Sequence, residues 1–138
     1  MFINEGIYLG NMESASNLQK LKNANITNIL NCAGEKCSNY FPQQFKYKTL
    51  IIRDIPDEDI SCLFSLILDY FIKVILNRNG VVFVHCYRGV SRSSAFVILW
   101  LMWKNKWSYQ KAFEHIIEKR SVASPNIGFE FQLRRFEK

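Results

Sequence analysis

The sequence lacks the features that identify several large classes of proteins. Its longest uninterrupted apolar run, Ala95–Trp103, is too short to span a bilayer, and we expect no secretory signal peptide. There is no long block of like charges, so a nucleic-acid-binding tail is not indicated. We also find no internal repeat, linker or low-complexity segment. These absences predict a single domain, residues 1–138, with no membrane anchor, in a reducing compartment. We expect the cytoplasm, with the nucleus as the alternative.

Potential zinc ligands are also few. The chain has two histidines and four cysteines, and no cysteine pair has C-x-x-C spacing, so we expect no metal site. The net charge of +6 favours anionic partners, and the lysines that carry much of it are scattered. We therefore expect phosphorylated proteins rather than nucleic acid as partners. The sequence leaves the oligomeric state open.

One stretch, Val81–Ser94, reads V-V-F-V-H-C-Y-R-G-V-S-R-S-S. Its first apolar run follows the turn pair Asn79-Gly80 and predicts a strand buried on both faces. The apolar run Ala95–Trp103 predicts a helix that is buried nearly all round. The loop between the two delivers its backbone N–H groups to a helix N-terminus, and this arrangement predicts an anion site.

The side chains of this loop suit the cleavage of a phosphate ester. A helix N-terminus and a nearby guanidinium both stabilise a thiolate, which is the nucleophilic form of Cys86. Arg92 offers a planar fork of donors that matches two phosphoryl oxygens. Gly89 permits the positive φ that turns successive amides inward. Ser93 places a hydroxyl where it could hydrogen-bond the departing sulfur, and His85 is expected to orient the loop by bonding to the backbone.

The stretch resembles the H-C-x-x-G-x-x-R-[ST] signature of the cysteine-dependent protein tyrosine phosphatase superfamily, and the whole chain is similar to a dual-specificity phosphatase domain. The segment that begins Ser124-Pro125-Asn126 resembles the closing segment of that family. One position departs from the pattern, because Arg88 stands where the family commonly has alanine. The resemblance implies that the loop binds the substrate phosphate, through Tyr87, Arg88, Gly89, Val90, Ser91 and Arg92.

The order of the remaining elements predicts an α/β fold. The predicted strands are a hairpin of Phe2-Ile3 and Ile7–Leu9, then Ile26–Asn31, Tyr47–Ile52 and the central strand. The predicted helices are one opened by a capping box at Ser16, one over about Ile60–Asn77, the central helix, one capped by Ser108 and one opened by Ser124-Pro125. This order predicts a central, mostly parallel twisted sheet of about five strands flanked by helices, the protein tyrosine phosphatase-like fold.

Expulsion of an alkoxide or phenolate at neutral pH needs a proton donor. The acidic loop Arg53–Asp59 follows a predicted strand and carries several carboxyl groups. By its position just after that strand, Asp54 resembles the general acid of the family. Asp57 is the second candidate, and Asp59 is expected only to flank the next helix.

The resemblance implies a dual-specificity protein phosphatase that forms a cysteinyl-phosphate and needs no cofactor. The short segment between the end of the Ile26–Asn31 strand and Asp54 leaves no room for an added recognition loop, so we expect a shallow pocket that admits phosphoserine and phosphothreonine besides phosphotyrosine. One alternative is a phosphatase of phosphoinositide, glucan or RNA 5′-triphosphate on the same fold. The other is an inactive module that binds phosphoproteins.

Two residues, Arg88 and Cys32, carry open interpretations. Arg88 could favour acidic flanking residues or several phosphates in a substrate, or it could form a structural salt bridge. The setting of Cys32 resembles a stretch in lipid-directed relatives whose cysteine pairs with the catalytic thiolate on oxidation. Cys32 could equally be a small buried hydrophobe. His115 lies away from the apolar face of its helix, and we expect it to be solvated.

Overall fold

The computed structural model describes residues 1–137 and contains, in that range, a five-stranded sheet. The strands are β1 (Phe2–Asn4), β2 (Ile7–Gly10), β3 (Asn28–Asn31), β4 (Lys46–Thr49) and β5 (Val82–His85). Their order is β1-β2-β5-β3-β4, with an antiparallel β1–β2 hairpin and parallel pairing elsewhere. The predicted α/β fold with a mostly parallel sheet is confirmed.

Helices cover both faces of this sheet. They are α1 (Met12–Ala15), α2 (Leu18–Asn23), α3 (Phe64–Phe71), α4 (Arg92–Asn105), α5 (Tyr109–Lys119) and α6 (Ile127–Phe136). A 3₁₀ turn (Ser61–Leu63) precedes α3 and a wider π-type turn (Ile72–Asn77) follows it, so the helix predicted over Ile60–Asn77 has three segments. In the described range, none of these helices combines the length and apolarity that a membrane crossing requires.

The central strand β5 is buried along its whole length, as predicted. Its side chains alternate between two cores, because successive residues of a strand point to opposite faces. Val82 and Val84 join the larger core, to which α3, α4, α5 and α6 contribute. Phe83 joins a smaller core with Ala15 of α1 and Leu21 of α2. The two-sided burial fixes the position of the loop that follows β5.

Helix α4 is the predicted central helix, and it begins at Arg92, immediately after the loop. Every residue from Arg92 to Met102 is buried. The Trp100 ring packs against α3, with its centroid 5.4 Å from that of Phe71, and stacks on Trp103 of the same helix at 5.5 Å. Burial from its first residue onward fixes the N-terminus of α4 beneath the loop.

Two predicted helix starts are displaced by one or two residues. Asn17, not Ser16, caps α2 by accepting a hydrogen bond from the N–H of Lys20. Asn126 caps α6, so the prediction of a start at Ser124-Pro125 is wrong. An Asn side chain serves as well as Ser at this position, and the two candidates are neighbours or near neighbours in both places.

Helix α5 has the predicted cap, since the hydroxyl of Ser108 accepts from the N–H of Lys111 at 3.1 Å. The prediction of a solvated His115 is wrong. Its Nε2 lies 2.9 Å from the carbonyl oxygen of Ile3, and its ring packs 5.4 Å from that of Trp107. His115 therefore ties α5 to the edge hairpin.

Strands β3 and β4 are shorter than the predicted Ile26–Asn31 and Tyr47–Ile52. The N–H of Ile26 bonds to the carbonyl of Leu21 at the end of α2 instead of to a neighbouring strand. Beyond Thr49 the carbonyl of Leu50 accepts from Gly34, in the connection after β3. The chain after β4 thus leaves the sheet early and reaches the acidic loop along the edge of the site.

Candidate active site

The candidate site lies beyond the carboxyl ends of three parallel strands. Gly10 of β2 and Asn31 of β3 are both in register with His85 of β5. The segments that follow these strands therefore meet at one edge of the sheet, which is where α/β folds place their ligands. Cys86 directly follows His85, and Cys32 directly follows Asn31.

Arg120, at the end of α5, holds the outer side of the loop. Its Nε donates to the carbonyl of Gly89 at 2.9 Å, and its Nη2 donates to the carbonyl of Arg88 at 3.1 Å. One guanidinium therefore fixes two successive peptide groups. Sequence reasoning missed Arg120, and no local signal marks it, because it is 31 residues away from Gly89.

The carbonyls of Tyr87 and Val90, on either side of Arg88 and Gly89, also accept hydrogen bonds from outside the loop. The N–H of Met12 donates to the carbonyl of Tyr87 at 3.1 Å, and the N–H of Ser124 donates to the carbonyl of Val90 at 2.7 Å. In a planar trans peptide the carbonyl and the next N–H point in opposite directions. With four consecutive carbonyls bound from outside, the N–H groups of residues 88–91 point to the concave side of the loop. This is the cradle of amides that an oxyanion needs.

Gly89 is required at its position for two reasons. Its φ is +70°, a left-handed conformation that other residues adopt only at a cost. A Cβ there would also lie 2.6 Å from the carbonyl oxygen of Gly10 and 2.7 Å from Nη2 of Arg120. The predicted role of Gly89 in curling the loop is consistent with both observations.

Cys86 lies at the base of the loop and is 2% exposed. Its Sγ is 3.1 Å from Oγ of Ser93, the second residue of α4. Ser93 is itself fully buried. The hydroxyl is therefore positioned to donate a hydrogen bond to a thiolate, as predicted from its place after Arg92.

The N-terminus of α4 has no side-chain cap in the described part of the chain. The residue at the cap position is Ser91, and its hydroxyl instead accepts from the backbone N–H of Asn126 at 2.9 Å. The positive end of the α4 dipole therefore faces the loop. No side chain of the described residues accepts a hydrogen bond from the first N–H groups of the helix. An anion seated in the loop would supply that acceptor.

Arg92 is anchored on one of its three nitrogens. Nη1 donates to the carboxylate of Glu35 and, at 3.1 Å, to the carbonyl of Ile52. Its hydrogen bonds within residues 1–137 are confined to Nη1, which leaves Nε and Nη2 for a bidentate grip on a phosphate. Sequence reasoning missed Glu35. Its place in the connection after β3, at the ligand edge of the sheet, is a signal that could have found it.

Asp54 is exposed, and its Oδ1 accepts a hydrogen bond from Nδ2 of Asn126 at 2.9 Å. Asn126 also bonds to Ser91 in the loop between β5 and α4, Cys86–Ser91, which we call the phosphate loop. A single residue therefore connects the Asp54 carboxyl to that loop. The structure thus brings the predicted acid to the same edge as Cys86 and Arg92.

The other acidic side chains of this loop have different partners. The Glu58 carboxylate accepts from the backbone N–H of Arg53 at 2.6 Å. The Asp59 carboxylate accepts from both the N–H and the hydroxyl of Ser61, and these bonds lower its pKa. Asp59 is therefore a helix-flanking residue, as predicted. Asp57 is exposed.

Over residues 1–137, no group of three or more His, Cys, Asp or Glu side chains is placed to hold a metal.

His85 is buried beneath the loop, with Nδ1 3.4 Å from the carbonyl oxygen of Cys86. Its ring stacks on Phe83 at 5.8 Å. Burial lowers its pKa to about 4, so the imidazole is neutral at physiological pH. This position agrees with the predicted role of orienting the loop.

Cys32 is fully buried next to the start of the loop, and its N–H donates to the carbonyl of His85 at 2.8 Å. Burial, and secondly the neighbouring Cys86, raises the pKa of its thiol well above the usual value. All four cysteines have free thiols. Cys32 is therefore a protonated thiol directly after β3, the strand adjacent to the one that leads to Cys86.

The rim of the loop carries Tyr87 and Arg88, both exposed. The ammonium of Lys36 lies 5.5 Å from the centroid of the Tyr87 ring. The Arg88 guanidinium forms no salt bridge with the acidic residues of the described chain, so the predicted alternative of a structural salt bridge is not observed.

Residues 7–138 match the family model of the dual specificity phosphatase catalytic domain. The chain is 42% identical over 132 residues to Arabidopsis thaliana protein-tyrosine-phosphatase MKP1, covering 96% of this chain and 17% of the relative. It is 39% identical to dual specificity protein phosphatase 1 of Arabidopsis thaliana, covering 99% of this chain and 68% of the relative. The crystal structure of the human tyrosine phosphatase-like serine/threonine/tyrosine-interacting protein superposes with a TM-score of 0.92 at 34% identity, over 99% of this chain and 93% of that one.

Proposed function

The chain belongs to the dual-specificity phosphatase family, and on this premise we propose that it hydrolyses phosphotyrosine, phosphoserine and phosphothreonine on proteins. The observation that carries the proposal is the buried Cys86 thiol at the base of a loop whose amides from residue 88 to residue 91 face inward. This combination pairs a nucleophile with a site for the three charged oxygens of a phosphate monoester.

In the first step the Cys86 thiolate attacks phosphorus, and the bond from phosphorus to the leaving oxygen breaks. Arg92 and the loop amides bind the three other phosphoryl oxygens, where negative charge is concentrated. Asp54 gives its proton to the leaving oxygen, which departs as a neutral hydroxyl. The products are a phosphocysteine and the dephosphorylated protein.

In the second step the Asp54 carboxylate takes a proton from water as the water oxygen attacks phosphorus. The bond from phosphorus to sulfur breaks, and inorganic phosphate is released. The Ser93 hydroxyl, 3.1 Å from the sulfur, stabilises the departing thiolate by a hydrogen bond. These two steps require no metal or organic cofactor.

We also propose that Arg88 selects substrates with acidic residues or a second phosphate beside the scissile one. Its guanidinium is exposed at the rim and unpaired with the described acidic residues, which supports this role over a structural one. Parallel assays on singly and doubly phosphorylated peptides with wild type and Arg88→Ala test it. Equal loss on both peptides would contradict the proposal.

Cys32 is proposed as the redox partner of Cys86. Adjacent parallel strands lie about 4.8 Å apart, within the Cα separation that a disulfide spans. Hydrogen peroxide would oxidise Cys86 to a sulfenic acid, and the Cys32 thiol would displace water to form the disulfide. Mass spectrometry after mild peroxide treatment tests this, and the absence of a Cys32–Cys86 peptide would contradict it.

We propose a reducing compartment, the cytoplasm or alternatively the nucleus, because the Cys86 thiolate must stay reduced to act. Microscopy of the tagged protein tests this proposal. Residence in the secretory pathway would contradict it.

The substrate class is tested by parallel assays on a phosphotyrosine peptide, a phosphothreonine peptide, an inositol phospholipid and an RNA 5′-triphosphate. We expect turnover of both peptides. Preference for the lipid or the RNA would identify the non-protein alternative. No turnover of any substrate or of a simple aryl phosphate, together with retained phosphopeptide binding, would identify the binding module instead.

The roles of the site residues are tested by substitution. Cys86→Ser should bind a phosphopeptide without turnover. Asp54→Ala should lose the alkaline limb of the bell-shaped pH–rate profile, and an unchanged profile would move the acid role to Asp57.

A further inference from the structure

Asn126 makes three hydrogen bonds with three different parts of the site. Its Oδ1 accepts from the N–H of Phe129 at 2.9 Å and so caps α6. Its backbone N–H donates to the hydroxyl of Ser91 at 2.9 Å. Its Nδ2 donates to Oδ1 of Asp54, also at 2.9 Å. This residue therefore joins the phosphate loop, the acidic loop and the last helix.

The cap determines which way the Asn126 amide faces. Because its oxygen is committed to the first turn of α6, its nitrogen must point to Asp54 and can only donate there. In a protonated carboxyl the carbonyl oxygen is the better acceptor, so a donor held against one oxygen favours the acidic proton on the other. The hydrogen bond from Asn126 to Oδ1 therefore favours the proton of a neutral Asp54 on Oδ2, the oxygen that Asn126 does not contact.

Helix α6 also holds the acidic loop on the far side of Asp54. A Cβ on Gly128 would lie 2.0 Å from the carbonyl oxygen of Pro56, so the helix and the loop are in direct backbone contact. Nε2 of Gln132 donates to the carbonyl of Glu58 at 2.9 Å, and its Oε1 accepts from the N–H of Ile60 at 2.8 Å. These contacts fix the loop backbone, and Asn126 fixes the carboxyl itself.

We propose that Asn126 is a positioning residue that aims the protonated Oδ2 of Asp54 at the leaving oxygen. The inference rests on the proposed function, since it assumes that Asp54 is the acid. It goes beyond that function by naming the group that sets which oxygen of the acid transfers the proton.

The test compares Asn126→Ser with the wild type on phenyl phosphate, a poor leaving group, and on p-nitrophenyl phosphate, a good one. Serine caps helices as well as asparagine but has no amide to donate to Asp54. We expect kcat/KM on phenyl phosphate, which reports the steps up to loss of the leaving group, to fall about tenfold, the upper end of what one hydrogen bond between neutral groups contributes. On p-nitrophenyl phosphate kcat/KM should change little, because that leaving group needs no proton. Equal losses on both substrates, or no loss on phenyl phosphate, would overturn the inference.

Asn17→Ser is the matched control, because Asn17 caps α2 with the same geometry at an exposed position away from the site. We expect it to leave both rates unchanged. The double variant Asp54→Ala/Asn126→Ser should have the same kcat/KM on phenyl phosphate as Asp54→Ala alone. A further loss would mean that Asn126 does not act through Asp54, and the inference would be wrong.

A spectroscopic readout separates this inference from the proposed function. In the wild type, the side-chain amide proton of Asn126 that bonds to Asp54 should have a shifted NMR resonance that moves in Asp54→Ala. An unmoved resonance would contradict the inference even if the enzyme is active. If the resonance moves but Asp54→Ala keeps full activity on phenyl phosphate, the contact exists and the acid role of Asp54 in the proposed function has failed. The proposed positioning role of Asn126 would then be wrong as well.

Discussion

The two hydrogen bonds from Arg120 to the phosphate loop should contribute measurably to catalysis. Its guanidinium donates to the carbonyls of Gly89 and Arg88, one bond partly buried and the other exposed. A hydrogen bond to a charged group contributes about 1.5–3 kcal/mol when it is protected from water. Because both bonds are accessible to water, we take about 1 kcal/mol for each. Loss of both should release two inward amides and cost about 2 kcal/mol of transition-state binding.

That cost corresponds to a fall of about 30-fold in kcat/KM for an aryl phosphate in Arg120→Met. The inhibition constant of inorganic phosphate should rise in parallel, since phosphate uses the same amides. Arg120→Lys keeps the charge but lacks the planar fork that bonds two carbonyls at once, so we expect an intermediate loss. Lys119→Met is the control, because it removes an adjacent exposed charge that has no bond to the loop. Wild-type kinetics in Arg120→Lys, or equal losses in Arg120→Met and Lys119→Met, would refute the reasoning.

Two further predictions concern the loop and the histidine beneath it. Gly89→Ala should destabilise the fold by at least about 1–2 kcal/mol and lower kcat/KM more than tenfold, because φ is +70° and the new Cβ meets Gly10. A variant with the same melting temperature and the same kcat/KM as the wild type would contradict this. For His85, the folded pKa of about 4 lies below the unfolded value of about 6.5, so the unfolded chain binds the extra proton between these pH values. The free energy of unfolding should therefore fall by about 1.4 kcal/mol per pH unit as the pH drops through that window, and His85→Gln should lose this part of the slope in denaturant titrations. Equal slopes in the two proteins would contradict the assignment.

The strand, loop and central helix could be predicted from the sequence because their signals are local. The residues from Val82 to Val84 are apolar, and Gly89 lies between Cys86 and Arg92. The continuous apolar run Ala95–Trp103 follows. The same locality explains the errors at helix starts. Ser16 and Asn17 are both good caps, and only packing decides between them.

The contacts that support the site could not be predicted, because they join distant parts of the chain. The position of Glu35 after β3 could have marked it as a candidate, but not its pairing with Arg92. Glu35 is 57 residues from Arg92, and Asn126 is 72 residues from Asp54. No periodicity or short motif reports such pairs. The resemblance to a known signature identified the groups proposed to react, whereas the groups that orient them became visible only when the strands were placed side by side.

The central claim is that phosphate passes through a covalent bond to Cys86. Rapid acid quench during turnover of an aryl phosphate, followed by mass spectrometry of the digested protein, tests it most directly. We expect the peptide that contains Cys86 to gain the mass of one phosphoryl group in the wild type and to gain none in Cys86→Ser, which should also be inactive. Turnover by Cys86→Ser, or a phosphoryl group found on a different residue in the wild type, would contradict the account.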